Sequence, residues 1–293
     1  KADALRANTE MLQRIGIPTF LITSDDVRRL APTFSTEDFD YAAYEPESGY
    51  ADPVLTANSL MDAARARGAT LVQDCQVTGI LVQGGKVAGV QSTQGEFHAP
   101  IVVNAAGAWA AKICRMAGVD LPLSTWRHEV MYVVRPAELR LPHPTVIDFP
   151  HLMYFRPEGK LTLVGLEDDN PRGDDPEGNT SYVRPGFVER AIDRICRRIP
   201  QMEKAHLHSA HAGYDGLSPD QHPLIGPIGP EGFWLDCGFS GTGFKISPAV
   251  GLCLSEWLLD GAPRTVDITI FAPQRLIQGD HLRGEYSYGD IWL

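Results

Sequence analysis

The run richest in chemically suggestive residues is Gly238-Phe-Ser-Gly-Thr-Gly-Phe-Lys-Ile-Ser-Pro248. Its glycines at 238, 241 and 243 lack a Cβ, so the backbone can take positive φ and approach a bound molecule closely. Amide N–H groups of such a turn, with the positive end of a helix behind them, suit an anionic or carbonyl-rich ligand edge. Lys245 adds a cation at the same place. Two phosphate-binding patterns nearly fit and fail. Gly238 and Gly243 have P-loop separation, but Phe244-Lys245-Ile246 follows where Lys and then Ser or Thr are needed. A dinucleotide fingerprint needs a third glycine where Ile246 stands. On spacing alone, a tight turn that needs glycine for its own geometry is an equal reading.

The flanking residues say what positions this turn. Phe233-Trp-Leu-Asp-Cys237 is apolar and β-prone, as a buried strand is. Ser247-Pro248 reads as N-cap and first residue of a helix carrying Val250, Leu254, Trp257 and Leu258 and stopping at Gly261. A second constellation lies upstream. The strand 101–104, Ile-Val-Val-Asn, runs into Ala105-Ala-Gly-Ala-Trp109 and a helix to Gly118. An apolar strand followed by small residues at a helix start is how α/β proteins bring backbone near a nucleotide; ordinary close helix–sheet packing has the same signature.

The remaining elements are coarser. Residues 1–15 read as helix, 18–30 as a strand and then a helix from Ser24, and 34–50 as irregular. Asp52-Pro53 opens a helix with Leu60, Ala63 and Ala64, stopped by Gly68. Strands over 70–81 and 86–92 flank the hairpin pair Gly84-Gly85. Strands are expected over 126–134, 152–156 and 160–165, the last two joined across Pro157-Glu-Gly159, and 167–179 as an exposed acidic loop. Phe187, Ala191, Ile195 and Ile199 make a helical stripe. His206, His208 and His211 suggest one face of a strand, but no carboxylate motif accompanies them and no metal site is expected.

The 293 residues, 43% hydrophobic and 22% charged, support one large or two ordinary domains. A net charge of −11 without a long basic run argues against nucleic acid and anionic membrane surfaces. No apolar run approaches a spanning helix. Five scattered cysteines without a CxxC pair read as reduced core residues, so the expected location is cytoplasmic. The chain begins without Met, and the expectation is a start inside a longer protein or a processed one.

Ser218-Pro-Asp220, Pro223-Leu-Ile-Gly226 and the Gly238–Lys245 block together resemble the C-terminal signature of the D-amino-acid-oxidase-like FAD-dependent oxidoreductases. They are most similar to the sarcosine oxidase, glycine oxidase and dimethylglycine dehydrogenase branch. The resemblance implies an α+β / α/β fold: part of a FAD-binding, glutathione-reductase-like domain plus an antiparallel-sheet substrate domain. It divides the chain into 1–50 (substrate domain), 51–120 (FAD-binding), 121–205 (antiparallel substrate sheet) and 206–293 (FAD-binding, with the flavin-covering loop). It implies hydride transfer from the carbon beside an amine nitrogen of a small amino acid or N-methyl amino acid to flavin N5. Lys245 and Tyr154 become the substrate residues, Lys245 holding the carboxylate. Val77, Ala106, Gly107, Trp109, Gly216, Gly241, Thr242, Gly243 and Phe244, again with Lys245, become cofactor residues.

Several features depart from the family. No GxGxxG occurs, so the pyrophosphate module is absent from this sequence and the chain alone is expected to hold FAD poorly; a separate chain or another subunit is a candidate partner. No cysteine adjoins Tyr214, so the flavin would be non-covalent. The lysine that promotes oxygen reduction in monomeric sarcosine oxidases is missing near Gly165, which leaves a dehydrogenase or slow oxidase, and Thr242 stands where a histidine is frequent. Two alternatives stay open: a scaffold or regulatory fragment without cofactor, and a flavoenzyme acting on a 2-hydroxy acid or glycerol phosphate.

Overall fold

The fold is seen in a computed structural model that describes residues 2–139, 142–167 and 170–283. In chain order the elements are α1 (Ala2–Arg14), β1 (Phe20–Thr23), α2 (Ser24–Leu30), β2 (Tyr41–Tyr44), α3 (Pro53–Arg65), β3 (Val77–Gln83), β4 (Lys86–Ser92), β5 (Gly95–His98), β6 (Val102–Asn104), α4 (Ala110–Met116) and β7 (Ser124–Val134). Then come β8 (Val146–Asp148), β9 (Met153–Glu158), β10 (Leu161–Leu166), α5 (Phe187–Arg198), β11 (His206–Leu217), β12 (Leu224–Pro227), β13 (Phe233–Cys237), α6 (Gly243–Asp260) and α7 (Gln274–Gln278).

A five-stranded antiparallel sheet, ordered β11-β7-β10-β9-β8, is the largest unit. The helical stripe read from the sequence is its cover. Phe187, Ala191, Ile195 and Ile199 are all fully buried, packed with Met131, Val133, Met153, Phe155, Val164 and Leu166 of the strands. Burying each large apolar side chain of this kind contributes about 1.5–3 kcal/mol. Because side chains alternate along a strand, the residues between these core positions stand on the opposite, uncovered face.

The second unit is a three-stranded sheet ordered β12-β13-β6, in which β13 and β6 run parallel. Helix α4 packs on it through Ala110 and Cys114, against Phe233, Leu235 and Cys237. The β3-β4-β5 meander and the β1-β2 pair complete the strands. This mixed architecture is the α/β and α+β combination expected.

Several local expectations need correction. The segment 34–50 is not wholly irregular: Tyr41–Tyr44 pairs with β1, and Phe34 enters the core against Phe155 at 5.7 Å between ring centroids. The strand placed over 70–81 begins only at Val77, and β5 and β8 were not anticipated; both are short and lack a strong alternation. Asp52 does cap α3, accepting from Leu55 N–H at 2.8 Å, yet no residue of that helix is buried and Leu60 is exposed. Helix α6 starts at Gly243, one turn before Ser247-Pro248. Pro248 lies inside the helix and cannot donate to the Phe244 carbonyl; Ser247 Oγ donates to it instead, at 2.9 Å. A bulge between Leu207 and Ser209 makes His208 the extra residue of β11. Among the described residues, no group of three or more His, Cys, Asp or Glu is placed to hold a metal ion, and no helix is long and apolar enough to cross a membrane.

Candidate active site

The other face of the five-stranded sheet carries a cluster of aromatic and polar side chains. On β7 these are Trp126, His128 and Tyr132, alternating with buried Arg127, Glu129 and Met131. On β9 it is Tyr154, between core Met153 and Phe155. Tyr154 stands opposite Gly165 of β10, and a Cβ there would lie 2.1 Å from Tyr154 Cζ. The glycine is therefore what lets the ring lie across the sheet. Burial raises the Tyr154 pKa, and the Glu167 and Asp215 carboxylates add to it, so the phenol stays protonated and able to donate at neutral pH.

Asp215 of β11, opposite Trp126, stands on the same face. Its Oδ2 lies 3.4 Å from Nε2 of His128, whose ring packs on Trp126 with centroids 4.4 Å apart. Burial lowers the His128 pKa and Asp215 opposes that shift. Neither His128 nor Asp215 was singled out from the sequence. They meet only through the β7–β11 register, which no spacing along the chain encodes.

The glycine-rich turn abuts this face. After β13, Gly238, Ser240 and Gly241 all have positive φ, at 69°, 52° and 82°. For Ser240 that conformation is strained and is fixed by its bonds: its N–H donates to the Gly216 carbonyl at 3.0 Å, and its Oγ accepts from Ser218 N–H at 3.2 Å. A Cβ on Gly241 would lie 3.6 Å from Asp215 Oδ2, so the turn and the carboxylate are neighbours. Thr242 spends its hydroxyl on the Phe239 carbonyl at 2.7 Å and gives no side-chain cap to α6. Gly243 begins the helix, and Phe244 and Lys245 project from its first turn. Phe244 is 48% exposed; Lys245 is exposed too and forms no ion pair among the described residues.

The second constellation forms a cleft of about 470 Å³ whose wall includes Val77, Ala106 and Trp109. The end of β6, Val102–Asn104, is part of its lining. Buried Asn104 donates from Nδ2 to the Ala110 carbonyl at 3.0 Å and accepts from Ala106 N–H at 3.2 Å, shaping the turn into α4. Gly107 has φ of 53°. Gly216, at the end of β11, comes so close that a Cβ on it would lie 2.7 Å from the Gly107 carbonyl oxygen. The cleft and the sheet face thus meet backbone to backbone.

The acidic loop is not simply exposed. Trp109 Nε1 donates to Glu177 at 2.9 Å and Lys112 lies 3.7 Å from the same carboxylate. On the other side, Thr125 bonds the Asp174 carbonyl, Arg127 N–H the Pro171 carbonyl, and the Arg127 guanidinium the Asn179 and Tyr182 carbonyls.

The description of FAD dependent oxidoreductases of the D-amino-acid oxidase type matches residues 1–257. The chain belongs to this family. It is 32% identical over 261 residues to mitochondrial sarcosine dehydrogenase of Mus musculus, covering 85% of this chain and 28% of that protein. It is 26% identical to the sarcosine oxidase subunit beta of Arthrobacter sp, over 93% of this chain and 66% of that one. The crystal structure of L-proline dehydrogenase from P. horikoshii superposes with a TM-score of 0.88 at 26% identity, covering 96% of this chain and 75% of that one. The chain thus spans little more than a quarter of the length of sarcosine dehydrogenase.

FAD is the cofactor this family implies, and the residues present fit part of it. The cleft has the volume of a small-molecule site, its Val77 and Ala106 wall is apolar, and the start of α6, without a side-chain cap, offers amide donors.

Proposed function

We propose that this chain carries the substrate face and part of the cofactor site of an enzyme that oxidises the C–N bond of a small amino acid or N-methyl amino acid such as sarcosine or glycine. The observation that carries this reading is the juxtaposition of the Gly238–Lys245 turn with the face holding Tyr154 and Asp215. FAD, when bound, supplies the hydride acceptor.

Val77, Ala106, Gly107 and Trp109 would hold the adenine side, and Gly216, Gly241, Thr242, Gly243 and Phe244 would border the ring side. Attachment is non-covalent, since Cys237, a neighbour of the turn, is buried, and burial pushes its thiol far up from the reactive range. Lys245, exposed and without an ion pair among the described residues, pairs with the substrate carboxylate. The Tyr154 hydroxyl donates to the bound substrate and helps fix the C–H bond to be broken. The amides at the start of α6 stabilise negative charge that develops at their end of the site.

We also propose the division at residues 50, 120 and 205, and a reducing, cytoplasmic setting in keeping with five free cysteines. Similarity to a protein named as a subunit supports assembly with a further polypeptide.

The test is a FAD titration followed by absorption spectroscopy and amine oxidation with an artificial electron acceptor. In the complete enzyme, Lys245→Ala raises KM for sarcosine by about tenfold or more, because a charge-assisted bond is lost. An unchanged KM removes Lys245 from the substrate site.

A further inference from the structure

Asp215 has no role in the reading given so far, yet it occupies the junction of the sheet face and the glycine-rich turn. Its side chain is 45% exposed, whereas that of His128 behind it is 17% exposed. His128 Nε2 is shut off from solvent and has no hydrogen-bond partner among the described residues; the Asp215 carboxylate, 3.4 Å away, is the group it faces. Trp126, packed against the imidazole at an interplanar angle of 53°, backs the ring in that orientation. The carboxylate therefore has the imidazole as a close neighbour on its buried side and is open on the other. There is room in front of it: Gly213, two residues earlier on the same face, has nothing within 4 Å of the place a Cβ would occupy.

We propose that Asp215 meets the cationic nitrogen of the substrate and makes the site select amines over 2-hydroxy acids, with His128 as the positioning residue behind it. This rests on the proposed amine oxidation. Lys245 and Asp215 then present one positive and one negative group to a zwitterion. A 2-hydroxy acid offers the carboxylate only a neutral O–H donor in place of a charge-assisted N–H, and its own negative charge then goes uncompensated on that side, which disfavours it. The charged and titratable groups sharing the face with Asp215 are His128 on β7 and Tyr154 on β9, with Tyr132, Arg156 and Glu167 close enough to influence Tyr154.

The experiment compares sarcosine with glycolate as substrates of the flavin-loaded complete enzyme, in wild type, Asp215→Asn and His128→Gln. Asp215→Asn is expected to raise KM for sarcosine about tenfold to a hundredfold while KM for glycolate changes by no more than about threefold, so the preference for the amine narrows. His128→Gln, which keeps a hydrogen-bonding side chain, is expected to raise KM for sarcosine less and to leave kcat unchanged. A readout independent of turnover is NMR titration of the His128 imidazole in the chain itself. Its pKa falls in Asp215→Asn, because the carboxylate that favours the charged ring is gone. A sarcosine KM within about twofold of wild type in Asp215→Asn, or an unmoved His128 titration, overturns the proposal while wild-type sarcosine oxidation leaves the amine reading standing. Wild type that consumes glycolate and not sarcosine overturns that reading and this proposal with it.

Discussion

Gly165→Ala tests how the sheet carries Tyr154. The added methyl would lie 2.1 Å from Cζ and 2.3 Å from the hydroxyl oxygen of Tyr154. Heavy atoms pack at about 3.5 Å, so the ring must retreat by about 1.4 Å. It retreats toward Ile147, its register neighbour on β8, and away from its place on the open face. Overpacking of this kind costs about 1–3 kcal/mol. Gly165 is not a positive-φ glycine, so the backbone accepts alanine and the whole cost belongs to the ring. The assay is a double-mutant cycle by urea unfolding. In a Tyr154→Ala background the same glycine substitution should cost under about 0.5 kcal/mol, since nothing is left to displace. Equal costs in the two backgrounds would refute the argument, because the strain would then lie in the strands and not in the tyrosine.

Gly216→Ala has no such escape. Its methyl would face the Gly107 carbonyl oxygen at 2.7 Å, and backbone cannot swing aside; stability should fall by about 1–3 kcal/mol and FAD affinity, read by flavin fluorescence titration, should fall with it. Unchanged values of both would contradict the close approach. Asp220 supplies a pH signature. Burial favours its neutral form, but Arg275 and the Leu282 and His222 amides outweigh that and hold it at about 2, below the ordinary 3.8. A depressed folded pKa gives stability that is present above the unfolded value and lost as pH falls towards the folded one, so about 2 kcal/mol should disappear between roughly pH 4 and 2. Acid unfolding of Asp220→Asn beside wild type checks this: their difference in stability should shrink across that window, and a constant difference would disprove it.

Local sequence was most informative where one element alone decides. The Phe187–Ile199 stripe shows its buried face directly, and Asp52-Pro53 opens its helix with the cap it suggested. The Ser247-Pro248 pair misled because a side chain can replace a missing amide donor, as Ser247 does for Pro248's absent N–H, so a proline need not mark a helix start. At the site, glycines and small residues were legible because close backbone approach needs them. His128, Asp215 and Glu177 were not, because each acquires its neighbours from strand register or a returning loop, across 87 residues of sequence for His128–Asp215 and 68 for Trp109–Glu177.

The loop between β10 and α5 has a consequence for how this protein can change. It is anchored to the cleft through Glu177 and to β7 through Asp174, Pro171 and Asn179. It therefore acts as a ruler, setting the spacing between the wall of the cleft and the open face of the five-stranded sheet. Lengthening or shortening the stretch between Pro171 and Glu177 by one residue would re-aim Trp109 and the open sheet face relative to each other while Val183, where the segment meets the core, keeps its place.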